Sequence, residues 1–177
     1  SRLAKVGWNL PANQRLQLSY LQTQTASPIA GTLTNLGTRP PYELGWKRTG
    51  YSDVMARNAA FDYSLAPEGV DWLDFQAKLY YVDTQDDSDT YSTSSLLDNG
   101  YATRTRLRTY GAQAQNTSRF SLAPGHDFRA NYGLEFYYDK VTSDSSREGM
   151  EGVTPAGNRS VGSLFANLTY DYDGWLT

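Results

Sequence analysis

The stretch Asp127–Phe136 carries Phe128, Ala130, Tyr132, Leu134 and Phe136 at alternate positions, with Asp127, Arg129, Asn131, Gly133 and Glu135 between them. Successive side chains of a β-strand face opposite sides, so this segment has one apolar face and one polar face. Seven stretches of the chain alternate in this way, and they are joined in turn by very short and by long polar connections. No other feature constrains the fold as strongly, because each strand must find apolar surroundings on one side and polar surroundings on the other.

The predicted strands are Ser1–Leu10, Arg15–Thr25, Asp53–Leu65, Asp71–Thr84, Thr103–Leu122, Asp127–Thr142 and Arg159–Tyr172. Pro11–Gln14, Ala66–Val70 and Ala123–His126 are the tight connections, each with Pro and with Gly or Asn as its turn chemistry. Ala26–Tyr51, Gln85–Ala102 and Ser143–Asn158 are predicted as long loops. Loops of such length are usually functional. Asp173-Gly174 is a further turn, and Trp175-Leu176-Thr177 reads as the stub of an eighth strand.

Composition narrows the class. The 177 residues fit one domain, and a net charge of -3 with no basic patch excludes nucleic acid as a partner. Without cysteine there are no disulfides, thiolate metal sites or cysteine nucleophiles. No apolar run is long enough for a membrane helix. A mean hydropathy of -0.60 is still compatible with a membrane barrel, in which only alternate residues meet lipid. The 14 Tyr and 4 Trp support that reading. Trp8, Phe61, Tyr63, Trp72, Phe75, Phe120, Phe128, Tyr172 and Trp175 lie towards the tight turns, whereas Tyr80, Tyr81, Tyr110, Tyr137 and Tyr138 lie towards the long loops. Two aromatic girdles with short turns on one side and long loops on the other describe an antiparallel transmembrane β-barrel of the bacterial outer membrane. A soluble antiparallel sandwich also alternates, but it accounts for neither the girdles nor the loop asymmetry.

Seven strands and a stub do not close an even-numbered barrel, and lipid does not tolerate an open sheet edge. The expectation is therefore an interior segment, of seven to eight strands, of a larger barrel domain spanning 1–177 and beyond.

Several constellations of side chains bear on chemistry. His126 is the one histidine; it falls in a Pro-Gly turn without the acid and nucleophile that a hydrolase needs, and it reads as a solvated turn residue. Asp83, Asp86, Asp87, Asp89 and Asp98 lack the spacing of a calcium loop and read as a hydrated acidic loop. Asp74, Lys78, Arg119, Arg129 and Glu135 are expected to face a polar lumen. No catalytic or metal-binding residue is predicted, so the chain is read as a non-enzyme. Tyr42, Trp46 and Tyr51 in the first loop, with Tyr91 and Tyr101 in the second, are the candidate contacts for a protein ligand, because Tyr and Trp dominate protein–protein hot spots. Packing of the loops on one another is the other reading of those aromatics.

The strand phrases Trp72–Tyr81, Arg108–Gly111 with Gln115–Phe120, and Tyr132–Asp139 resemble the TonB-dependent outer-membrane receptors, as does Pro155–Ser160 with Leu164–Ala166. Within that superfamily the resemblance is to the haem and hemophore or haemoglobin receptors, and it spans nearly the whole chain. It implies a barrel of about 22 strands with a plug inside. It also implies haem as the transported ligand rather than a cofactor, a hemophore or haemoglobin as protein partner, and energy from the TonB–ExbB–ExbD complex. The family's TonB box, plug and haem-ligating histidine loop have no counterpart in these residues, so no haem ligand carries over. A siderophore or vitamin receptor shares every barrel feature, and a small outer-membrane hydrolase barrel is the enzyme alternative.

Overall fold

The computed structural model describes residues 1–29, 33–35, 45–92, 100–146 and 155–172. The elements are β1 (Arg2–Leu10), β2 (Gln14–Ile29), β3 (Leu33–Asn35), β4 (Gly45–Leu65), β5 (Phe75–Ser92), β6 (Tyr101–Ala123), β7 (His126–Ser145) and β8 (Gly157–Tyr172). Seven of them form one antiparallel meander in the order β1-β2-β4-β5-β6-β7-β8, and β3 pairs only with the first residues of β4. Among the described residues β1 and β8 are the two edges of this sheet.

Local chemistry closes the tight ends. Between β1 and β2, Ala12 (φ 59°) and Asn13 (φ 52°) adopt the left-handed conformation that asparagine tolerates well. Between β6 and β7, Ala123 pairs with His126 around Pro124-Gly125. Proline presets the first central position there, and Gly125 takes the positive φ of 78° that the second requires. The β4–β5 connection is longer than predicted. Trp72 and Leu73, read as strand because they extend the alternation of Phe75, belong instead to a folded turn in which Val70 N donates to Pro67 O and Leu73 N to Val70 O. Asn116 anchors this turn: its Oδ1 accepts from Asp74 N (3.1 Å) and its Nδ2 donates to Trp72 O (3.0 Å).

The opposite ends differ more from expectation. Much of the first two predicted loops is strand: β2 runs on to Ile29, β4 begins at Gly45, and Gln85–Ser92 continues β5 in register with both neighbours. The acidic residues Asp86, Asp87 and Asp89 therefore sit on a strand. The expected turn Asp173-Gly174, the stub 175–177 and half of the third loop lie outside the described residues.

Directly paired residues share a face, so the register fixes both surfaces of the sheet. One row reads Val6–Leu18–Phe61–Leu79–Ala112–Phe136, and the next towards the tight turns reads Trp8–Leu16–Tyr63–Ala77–Ala114–Leu134. Towards the far end this apolar band finishes in Tyr20–Ala59–Tyr81–Tyr110–Tyr138. At the tight-turn end it finishes in Phe120, Phe128 and Tyr170, with Phe120 and Phe128 stacked at 5.5 Å. Tyr110 to Phe120 on β6 covers roughly 34 Å of strand, which at the usual barrel tilt is about 25 Å of membrane normal, the height of a lipid-facing band. Tyr80 and Tyr137, expected in the upper girdle, lie on the other face, because Tyr80–Gly111–Tyr137 is one of the inner rows.

No apolar side chain is buried among the described residues, and Leu164 (85% exposed), Leu168 (64%) and Leu79 (56%) stand open on the apolar face. A water-soluble sandwich would cover that face with a second sheet. No described helix is long and apolar enough to cross a membrane.

Candidate functional site

The inner face is a hydrogen-bonded polar lattice. Its central row reads Gly7–Gln17–Asp62–Lys78–Gln113–Glu135. Gln17 Nε2 donates to Asp62 (3.5 Å), Lys78 pairs with the same carboxylate (3.8 Å), and one row lower Gln115 donates to Gln76 (3.0 Å). Together with Arg15 and Gln113 these groups line an open concavity of about 490 Å³. The geometry offers many donors and acceptors and no nucleophile with a base beside it. Among the described residues no cluster of His, Asp or Glu could hold a metal ion.

Two glycines shape this face. Gly111 stands opposite Tyr80, and a Cβ at Gly111 would lie 2.0 Å from the Tyr80 ring. The ring therefore lies across the glycine and carries the Tyr80 hydroxyl to Glu135, to which it donates (3.2 Å). At Gly133 the ring of Phe165 does the same, 2.7 Å from where a Cβ would sit. Both pairs put an aromatic where a strand glycine would otherwise leave backbone bare.

The predicted lumen residues lie where the alternation put them. Arg119 donates to Asp74 (2.8 Å) and stands opposite Arg129 at the tight-turn end; Lys78 and Glu135 are in the central row. His126 is less solvated than expected, for its Nδ1 lies 2.6 Å from the Tyr170 hydroxyl and its ring 4.7 Å from that of Tyr172.

The candidate capture aromatics do not form one cluster. Tyr42 lies outside the described residues. Trp46 is in β4 paired with Thr34, and Tyr91 is in β5 paired with Thr49, so both are strand rather than loop positions. Tyr51 pairs with Asp89 and is half exposed, while Tyr101 opens β6 opposite Thr90. Neighbouring rows face opposite sides, so Tyr51 is on the outer face and Tyr101 on the inner. Sequence reasoning missed the charged lattice of these strand extensions. Arg104 Nε donates to Asp87 (2.6 Å) on the outer face, and on the inner face Ser52 and Ser88 both donate to Asp86 (2.8 Å each). The Arg104 guanidinium holds the Asp87 carboxyl below its usual value; partial burial opposes this, and a hydrogen bond from Gln85 adds to it. No spacing in the sequence signals these pairs, because the strand register alone brings the partners together.

A single sheet with an uncovered apolar band bounded by aromatics on one face, and a bonded polar lattice on the other, is the wall of a membrane-spanning β-barrel. No family model and no curated protein matches the chain. Among solved structures, the chain is 80% identical over 98% of its length to a double mutant of the Serratia marcescens hemophore receptor HasR, in complex with its hemophore HasA and heme, with a TM-score of 0.78. The chain spans 22% of that receptor chain. The chain matches one segment of that receptor's β-barrel.

Proposed function

We propose that this chain forms barrel wall in an outer-membrane, TonB-dependent receptor that takes up haem delivered by a hemophore. The reading rests on 80% identity over 98% of the chain to a receptor solved with its hemophore and heme. In this proposal the long-loop end faces the outside and takes part in capture, and the tight turns face the periplasm. The polar inner face lines the path that a plug gates, and work transmitted by TonB–ExbB–ExbD drives release inwards. Haem is cargo, and the chain acts as a receptor rather than an enzyme.

The test is calorimetric titration of the full-length parent receptor, in detergent, with haem-loaded hemophore. Saturable binding is expected. In the parent, Tyr101→Ala and Tyr51→Ala separate the two faces: weakened binding in the first alone assigns capture to the lumen side of the rim. Failure of the parent to bind either haem or hemophore, with saturable binding of a ferric siderophore instead, overturns the proposal.

A further inference from the structure

The outer face changes character one step beyond the tyrosine row. The next row reads Arg2–Gln22–Arg57–Asp83–Arg108–Lys140. It carries cations on most strands against the single carboxylate Asp83, and Arg106 follows one row further out, opposite Gln85. Tyrosines of a barrel girdle sit at headgroup depth, so this row lies where lipid headgroups meet water.

Two features mark it as a built site rather than a scatter of surface charge. Asp83 is only 4% exposed, and it binds Arg106 twice, through Nε (2.6 Å) and Nη2 (2.8 Å), with Arg57 Nη1 at 3.5 Å. A carboxylate buried beneath guanidiniums holds them side by side, while the side chains of Arg57 (42% exposed) and Arg106 (30%) still reach the surface. Second, Arg108 and Lys140 stand directly opposite each other on β6 and β7. Like charges directly opposed destabilise a sheet. Among the described residues Lys140 makes no ion pair, and the one carboxylate beside Arg108 is Asp83, which Arg57 and Arg106 already share.

We propose that Arg57, Arg106, Arg108 and Lys140 form a binding site for the phosphate of a phosphorylated glycolipid in the outer leaflet. Guanidiniums bind phosphate with paired N–H donors, and the ammonium of Lys140 completes the anion's charge. The acyl chains of such a lipid lie along the Leu79–Ala112–Phe136 row below. The inference needs only the barrel's orientation in the membrane and goes beyond hemophore capture.

The experiment is native mass spectrometry of the delipidated full-length parent receptor in detergent, titrated with bisphosphorylated lipid A and, separately, with its dephosphorylated form. At least tenfold preference for the phosphorylated lipid is expected. The combined variant Arg57→Gln, Arg106→Gln and Arg108→Gln should lose that preference, whereas Arg104→Gln, further out on the same face, keeps it. An unchanged melting temperature establishes that the variant is folded; if it is not, the single change Lys140→Gln is read instead and should lower the preference at least threefold. Equal binding of the two lipids, or an unaltered preference in the folded variant, overturns the proposal. Competition by millimolar inorganic phosphate that leaves lipid selectivity absent also overturns it, by assigning the row to a soluble anion. Hemophore binding measured in the same preparation stays intact in the variant, so loss of this site and loss of the receptor function are read apart.

Discussion

Strand β6 runs through two environments, and its halves differ accordingly. From Tyr110 to Phe120 its outer positions are Tyr110, Ala112, Ala114 and Phe120, broken by Asn116 and Ser118 where the β4–β5 turn is anchored. From Ala102 to Arg108 the outer positions are Ala102, Arg104, Arg106 and Arg108, and Arg104 and Arg106 bond carboxylates at a level beyond the acyl chains. The backbone ladder is uninterrupted across the change. Hydrogen bonding thus builds the strand in both halves, and the surrounding medium alone selects the outward side chains.

Breaking this comparison should be easiest in the apolar half. Leu134→Arg, in the middle of the band, is expected to cost about 2–4 kcal/mol, and Gln85→Arg, on the same face beyond the tyrosines, about 0–1 kcal/mol. Urea unfolding of the parent receptor in lipid vesicles measures both; equal costs would show that the apolar band does not meet lipid. On the inner face Gly111→Ala forces the Tyr80 ring off its seat and should cost about 1–3 kcal/mol. Adding Tyr80→Ala should recover part of that loss, and a double-mutant cycle of melting temperatures detects the coupling.

Asn116→Ala leaves Asp74 N without its acceptor and Trp72 O with Ser118 as donor, with an expected cost of about 1–3 kcal/mol concentrated in the connection. Faster amide exchange confined to residues 66–74 is the signature. The smallest effect belongs to the exposed Arg104–Asp87 pair, where Arg104→Gln should lower the melting temperature least of all these changes. Because the Asp87 carboxyl is held below its usual 3.8, its contribution is present above that value and lost as pH falls through the lowered one. A melting-temperature difference between parent and Arg104→Gln that persists at lower pH would contradict this assignment.

The legibility of the sequence follows the same division. Asp127–Phe136 could be read as strand because lipid on one side and a polar lumen on the other impose alternation. Gln85–Ser92 read as a loop because both faces there meet water, so Asp86, Asp87 and Asp89 give no apolar period. Their strand state depends on cross-strand partners such as Arg104, which sequence spacing does not reveal. Trp72 and Leu73 misled in the other direction, keeping the period while the Asn116 side chain pulled the backbone into a turn. The lumen positions of Lys78, Glu135 and Arg119 followed from parity alone. The outer cationic row did not, because Arg57, Arg106 and Lys140 are far apart in sequence and are gathered only by the register.

The unbroken ladder between β4 and β5, from Arg48↔Ser92 to Leu65↔Phe75, has a mechanical consequence. A load along the strand direction strains all of its hydrogen bonds together, in shear. The same load applied across the strands opens them one pair at a time, like a zip. Such a wall is stiff to forces directed through the pore and weak to forces that peel at its edge.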